Sequence, residues 1–362
     1  MKNIAVFFGG ESVEHDVSVI TGVLTLNTVK KCGFNAVPVY VKKDGAWVSG
    51  DELFDVENYK SLDDKKLKSV FLTGGSPILY QAVKNKRIKP MGTLSAAVNC
   101  MHGERGEDGA LSGLLSMCKV PLCSPGITPS ATCIDKRITK AVLKGMGIKT
   151  LPCIAVKSAT NIKWKKFPAV VKPNKLGSSI GVSVANDEKE LKSAVLLALR
   201  YGEQAIIEEK MTDFIEINCA AYLDRNGKVI TSPCEKPMAK GGVLTFDDKY
   251  TEGEREFPAK IEKALSDKIR KLTEKIYSGI DATGIIRIDF FVHGGEVFVN
   301  EINTVPGSLA YYLFCSTIKE FGKLLGEIID VAERKFASQT TFIKSYDSGV
   351  LNVRGAKGAK HL

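Results

Sequence analysis

The sequence predicts a parallel α/β unit followed by two α+β segments rich in hairpins. Three observations carry this. The N-terminal third alternates apolar strands with helical periodicity, the pattern of a parallel sheet with helices on its faces. The remainder interleaves short strands, polar turns and amphipathic helices. The length, 362 residues, exceeds what one simple core organises and points to two or three domains.

Taken in order, residues 3–8 read as a buried strand, 17–31 as a helix ending at Gly33, and 35–41 and 94–100 as further strands. A Ser/Pro/Gly-rich stretch, CSPGITPSAT at 123–132, reads as a loop and marks the first boundary. Residues 135–146 form a helix closed by Gly147. Short strands follow at 153–156, 169–172 and 181–184, then a helix at 187–201 and a strand at 204–209 that leads to the second boundary. Beyond it lie an antiparallel pair, 216–224 and 228–232, turned by Arg225-Asn226-Gly227, and a long polar loop at 235–257. Unstructured loops of that length are often lids. A helix at 258–278, a hairpin around Gly294-Gly295 and a helix at 317–336 complete the chain. The expected units are 1–124, 125–209, 210–340 and a basic extension, 341–362, whose tip is expected to be disordered.

Composition narrows the class. Hydrophobic residues make up 44% and charged residues 25%, as in ordinary soluble proteins. No apolar run is long enough to span a bilayer, and MKNIAVFFGG reads as a strand and glycine turn rather than a signal peptide. The nine cysteines are odd in number and contain no Cys-x-x-Cys, against a disulfide framework or a zinc ribbon. A cytoplasmic location is expected. The four histidines show no metal-ligand spacing. The net charge of +10 is dispersed, without a basic helix carrying interleaved aromatics, and reads as a solvated surface rather than a nucleic-acid or membrane face.

Four segments carry chemistry. In RIDFFVHGGEVFVNEINTVPG, 287–307, apolar runs flank a Gly-Gly turn, yet Arg287, Asp289, Glu301 and Asn303 interrupt them. A three-residue loop, Gly294 to Glu296, places Asp289 opposite Glu301 and Arg287 opposite Asn303, all on one face; a two-residue loop breaks that register. Facing carboxylates repel unless a cation lies between them, and an Asp/Glu/Asn oxygen set suits Mg²⁺, with Arg287 as an anion clamp. In VVKPNKLGSSIGV, 170–182, a strand delivers Lys172 to a Gly/Ser loop able to hold phosphate through backbone amides and hydroxyls, although it is no P-loop. MHGERGEDGALSGLL, 101–115, places His102, Glu104, Arg105, Glu107 and Asp108 at the carboxyl edge of the parallel sheet, where open α/β sheets bind ligands. GGESVEHDVS, 9–18, lacks G-x-G-x-x-G, and its acidic residues would repel a pyrophosphate; Glu14 suits an amine instead.

In kind and order these segments resemble the D-alanine–D-alanine ligases of the ATP-grasp superfamily, over residues 3–336. The resemblance implies an ATP-grasp fold preceded by a Rossmann-like parallel-sheet domain. It implies ATP-dependent joining of two D-alanines through an acyl phosphate, for peptidoglycan precursor synthesis. Glu14 would bind the first D-alanine's ammonium, with His102 beside it. Lys136 and Lys172 would touch ATP phosphates, and Gly177, Ser178 and Ser179 would cover them, Ser178 reaching toward Glu14 and Tyr250. Glu209, Lys210, Met211 and Thr212 would face adenine, and Glu216 the ribose. Lys249 would reach phosphate while Tyr250 closes over the substrates. Arg287 and the Gly307 amide would stabilise the tetrahedral intermediate. Asp289, Glu301 and Asn303 would hold two Mg²⁺ (or Mn²⁺) ions. The family also implies a homodimer.

The chain departs from the family pattern at three points. DFIE, 213–216, replaces the usual Gly-Arg-Glu run and keeps only Glu216. Asn300 stands where an apolar residue usually precedes the glutamate. Tyr312 occupies the place of a small hydroxyl residue that helps bind the second substrate's carboxylate. The alternatives are therefore a ligase using D-lactate or D-serine as second substrate, or a non-catalytic nucleotide-binding regulator.

Overall fold

The structure is a computed structural model and describes residues 1–85, 87–238 and 254–350. Its first sheet has seven strands. Asn3–Gly9 lies between Asn35–Val41 and Ala96–Asn99 and runs parallel to both. Residues from Ile4 to Phe8 are wholly buried, as expected of a strand covered on both faces. Four antiparallel strands, Trp47–Ser49, Lys68–Thr73, Ser76–Val83 and Arg87–Thr93, extend the sheet beyond Asn35–Val41. The sequence reading does not contain them. Arg87–Thr93 is exposed along nearly its whole length, so it offers no apolar period, and its strand form comes from its neighbour's ladder.

The helix His15–Lys31 packs on this sheet through Gly22, where a Cβ would stand 2.3 Å from the Phe8 ring. The stretch expected as a loop at 123–132 is mostly helix, Ile127–Ile134. Its Ser and Thr residues resemble loop composition, and Pro129 sits in the first turn, where its missing N–H costs nothing. Asp135 then caps Lys136–Gly145, accepting from the Ile138 amide at 2.9 Å.

Two four-stranded antiparallel sheets follow. The first orders Ser183–Ala185, Ala169–Pro173, Ala205–Glu209 and Cys153–Val156, backed by the helix Glu188–Ala198. The second orders Val229–Thr231, Ile215–Leu223, Ile286–His293 and Glu296–Asn303, backed by Lys263–Gly279. That helix begins later than the expected residue 258, because the Ala259 amide donates to the Cys234 carbonyl at 2.8 Å and ties the preceding segment to the sheet edge. The ends of the expected 235–257 loop form a two-stranded ribbon, Lys236–Met238 with Glu254–Glu256. Lys249 and Tyr250 lie outside the described residues.

The last helix, Ile318–Thr340, starts at a Thr317/Glu320 capping box and returns to the first unit. Its Gly322 sits so close to the first helix that a Cβ would fall 1.8 Å from the Cys32 sulfur. Phe321, Leu325, Ile328 and Ile329 join Ile4, Val6, Phe8 and Leu26 in one core.

Candidate active site

The hairpin places its polar face by a route the loop count alone misses. The turn has two residues, since His293 pairs with Glu296, which contradicts the three-residue loop. The register is nonetheless the expected one: Asp289 faces Glu301 and Arg287 faces Asn303. A bulge beside Phe290 restores it, leaving Asn300 as the extra residue between Val299 and Glu301. The Asn300 side chain accepts from Lys172 Nζ at 3.4 Å, so the family-atypical residue is both the bulge and a neighbour of the lysine.

Asp289 is 2% exposed and fully engaged. Arg287 donates to it from Nε at 2.7 Å and from Nη2 at 3.0 Å, and Asn303 Nδ2 donates at 3.0 Å. Burial works against the Arg287 charge, but Asp289 outweighs it and holds the guanidinium protonated. Lys136 Nζ donates to Glu301 at 2.9 Å and to the Leu176 carbonyl at 2.7 Å. Two facing carboxylates and an amide form an all-oxygen donor set of the kind Mg²⁺ prefers, and each carboxylate here is countered by a protein cation. These residues fit the metal that the family implies.

Lys172 lies within a buried relay. Glu208, 2% exposed, accepts from Lys172 at 2.6 Å and from Lys140 at 2.5 Å. Burial drives the Lys172 ammonium toward neutrality, yet Glu208 and Glu301 more than offset it and raise its acid range. Burial disfavours the charged Glu208 as well, and the two lysines override it and lower its range. Two lysines on one carboxylate leave a net positive charge suited to a polyphosphate. Lys140 and Glu208 were not among the sequence-predicted residues. The signal was present: Lys140 is one helical turn beyond Lys136, and Glu208 is an acid inside an apolar strand.

Ser178 donates to the Glu14 carboxylate across 164 residues of sequence, as expected. Both Ser178 and Ser179 adopt left-handed backbone (φ 53° and 58°), so the loop turns sharply over Glu14. His102 is buried, with Nε2 3.1 Å from the Thr21 hydroxyl and its amide 2.9 Å from the Ser18 hydroxyl. Burial, reinforced by Arg287, pulls its acid range down to about 3, so the ring is neutral. Thr21, also missed, accepts from the Ser308 amide at 3.1 Å and thereby fixes the turn after Gly307. That turn is left-handed through Ser308, Leu309 and Ala310, a strained run of non-glycine residues. Glu107 accepts from the Gly103 and Val305 amides, each at 3.0 Å, tying the His102 loop to the hairpin's end. Burial and then Glu14 push its acid range up to about 8.

These residues line two adjoining cavities. One, of about 380 Å³, is lined by Glu14, His102, Ser178, Arg287, Asn303, Gly307 and Tyr312. The other, of about 120 Å³, is lined by Lys136, Lys172, Ser179, Glu209, Lys210 and Met211. Gly177, Glu216 and Glu301 line both. Thr212 is exposed, and Glu209 turns outward to Lys166 at 2.8 Å. Tyr312 is covered by the Arg255 guanidinium 4.3 Å above its ring, and Glu235 accepts from Arg255 at 3.3 Å. Arg255 is a further residue the sequence reading missed.

Comparison with known proteins agrees with this layout. Residues 3–125 match the D-ala D-ala ligase N-terminus family and residues 144–331 the D-ala D-ala ligase C-terminus family. A D-alanine–D-alanine ligase of Wolinella succinogenes is 35% identical over 327 residues, covering 89% of this chain and 91% of that protein. One of Thermosipho melanesiensis is 30% identical over 373 residues, covering 99% of this chain and all of the relative (100%). The crystal structure of D-alanine–D-alanine ligase from Helicobacter pylori superposes with a TM-score of 0.76 at 29% identity, covering 90% of this chain and 98% of that one. By sequence along nearly its whole length and by fold, this chain belongs to the D-alanine–D-alanine ligase family.

Proposed function

We propose that this chain joins two molecules of D-alanine, with cleavage of ATP to ADP and phosphate, as a step toward peptidoglycan precursors. The observation that carries the reading is the shared wall: Gly177, Glu216 and Glu301 line both the lysine-rich cavity and the cavity holding Glu14 and Arg287. A phosphoryl group and a carboxylate can meet there.

The chemistry follows from the side chains. Glu14, positioned by Ser178, holds the first D-alanine by its ammonium. Lys136 and Lys172 receive the phosphates, and Glu208 with Lys140 keeps Lys172 charged and aimed. The first substrate's carboxylate attacks the γ-phosphoryl group and becomes an acyl phosphate; the second D-alanine's amine then displaces phosphate. Arg287 and the Gly307 amide lie beside the developing oxyanion. Asp289, Glu301 and Asn303 would hold Mg²⁺ (or Mn²⁺), which supplies charge neutralisation at the transferring phosphoryl group. We infer, from the family alone, action in the cytoplasm as a homodimer on D-alanine and ATP rather than on nucleic acid or membrane.

A second reading differs only in the acceptor. Tyr312, with Arg255 stacked on it, stands in the second-substrate region, where D-serine or D-lactate would distinguish itself from D-alanine. The test is phosphate release from Mg-ATP with purified protein and D-alanine alone, then with D-serine or D-lactate added. Release with D-alanine alone, with the dipeptide in the mass spectrum, is expected. Turnover only after a second compound is added would replace the acceptor. No release under any condition would overturn the ligase reading.

A further inference from the structure

The larger cavity has to accept two amino acids, each bringing a carboxylate, yet acids crowd its wall: Glu216, Glu235 and Glu254 line it besides Glu14 and Glu301. Among the described residues that line it, Arg255 and Arg287 alone carry positive charge, His102 being neutral. Arg287 is committed to Asp289 through Nε and Nη2. The carboxylate of the first D-alanine is consumed in the acyl phosphate. That of the second keeps its full charge throughout the reaction and needs a cation of its own.

The fold delivers Arg255 to the end of the cavity away from the phosphates. Glu235 pairs with Asn218, Asn218 with Asp289, and Asp289 with Glu301, so the four stand in one row across the sheet. Neighbouring strands lie about 4.8 Å apart, and Glu235 is three such spacings from Glu301, the residue shared with the lysine-rich cavity. In the two-stranded ribbon Arg255 is opposite Pro237, two residues beyond Glu235, which places Arg255 and Glu235 on one face. The Glu235 side chain, 4% exposed, accepts from Arg255 Nη1 at 3.3 Å and from Asn218 Nδ2 at 3.2 Å. The guanidinium rests 4.3 Å from the centroid of the Tyr312 ring. A guanidinium has five N–H donors, and the use of Nη1 leaves an edge that matches a carboxylate.

We propose that Arg255, anchored by Glu235 and seated on Tyr312, binds the carboxylate of the second substrate and makes that group the feature by which the acceptor is chosen. The proposal rests on the ligase reading and extends it. The contact reads the carboxylate and not the attacking group, so D-alanine and D-serine satisfy it alike while a carboxamide does not.

The test is internal competition. The full-length protein receives Mg-ATP with D-alanine and D-alaninamide at equal concentrations, and the ratio of dipeptide to dipeptide amide is read by mass spectrometry. D-alaninamide has no carboxylate to phosphorylate, so it enters only as acceptor. The ratio does not depend on how much of the protein is folded. The parent should form the dipeptide in at least ~10-fold excess, and Arg255→Gln should lower that excess by ~10-fold, the scale of a hydrogen bond to a charged group. Arg255→Lys, which keeps the charge and loses the fork, should lower it by less. The KM for ATP should stay within ~2-fold of the parent's in both variants. A parent that forms the two products equally would overturn the proposal without any variant. So would an excess that both variants retain; a raised KM for ATP beside that retained excess would make Arg255 a structural residue instead. A parent that forms neither product and releases no phosphate would remove the ligase reading and this proposal with it, an outcome distinct from the others.

Discussion

At the scale of single residues, the site is a set of charges that the fold has paired in advance. Glu301 faces Asp289 and is held by Lys136 at 2.9 Å. Replacing it with alanine removes one of the two facing carboxylates of the proposed Mg²⁺ set, and the charge stabilisation that such an ion would supply would go with it. Glu301→Ala is expected to lower ATP-dependent phosphate release by roughly 100-fold or more; full turnover would remove Glu301 from the metal set. His102 gives a pH signature. Its folded acid range, about 3, lies below the unfolded value of 6.5. A depressed histidine contributes stability that is present above pH 6.5 and is lost as pH falls toward about 3. In that window the slope is at most ~1.4 kcal/mol per pH unit for one proton. Urea midpoints between these limits should fall less steeply with acid in His102→Gln than in the parent, and identical slopes would contradict the neutral buried ring.

At the scale of elements, the Ile286–His293/Glu296–Asn303 hairpin shows how a local irregularity serves the site. Its two-residue turn alone would put Asp289 out of line with Glu301, and the bulge at Asn300 corrects it. Deleting Asn300 should therefore give a regular two-residue hairpin in which Asp289 still faces Glu301 and Arg287 still faces Asn303, losing only the Asn300 contact to Lys172. Far-ultraviolet circular dichroism should change little and ATP-dependent turnover should be retained; its disappearance would mean that the bend of the bulge, beyond the pairing, positions the carboxylates. The first helix makes a similar demand at Gly22. Alanine there gains about 1 kcal/mol in helix propensity. Its Cβ would nevertheless lie 2.3 Å from the Phe8 ring, inside a strand that cannot retreat. Overpacking of that kind costs about 1–3 kcal/mol. Gly22→Ala is thus expected to be net destabilising, by up to ~2 kcal/mol in urea unfolding.

At the scale of the whole molecule, the chain closes on itself. The last helix completes the core of the first sheet, with Phe321 fully buried and stacked on Tyr311 at 4.7 Å between ring centroids. Tyr311 belongs to the turn that follows Gly307, so the same packing that stabilises the N-terminal unit also positions the end of the catalytic hairpin. Phe321→Ala should cost about 3–5 kcal/mol by leaving a cavity in this shared core. The loss is read as a lower urea midpoint by circular dichroism, and a shift under ~1 kcal/mol would show that the two ends are not coupled through it.

What the sequence determined by itself is the local chemistry. The alternation in the first unit, the glycine-serine turn after Lys172 and the interrupted apolar runs of the hairpin are properties of short stretches, and their spacing names the residue types a phosphoryl-transfer site needs. It also exposed the family through the order of those stretches. Tertiary structure decided everything that depends on which distant residues meet. Ser178 reaches Glu14 across 164 positions, and Lys140 and Lys172 share Glu208; no periodicity encodes such contacts. The exposed strand Arg87–Thr93 and the Ser/Thr-bearing helix Ile127–Ile134 were invisible for the same reason. Their conformation is set by hydrogen bonding and packing against the rest of the fold, which outweigh the propensities of well under 1 kcal/mol per residue that a short stretch carries.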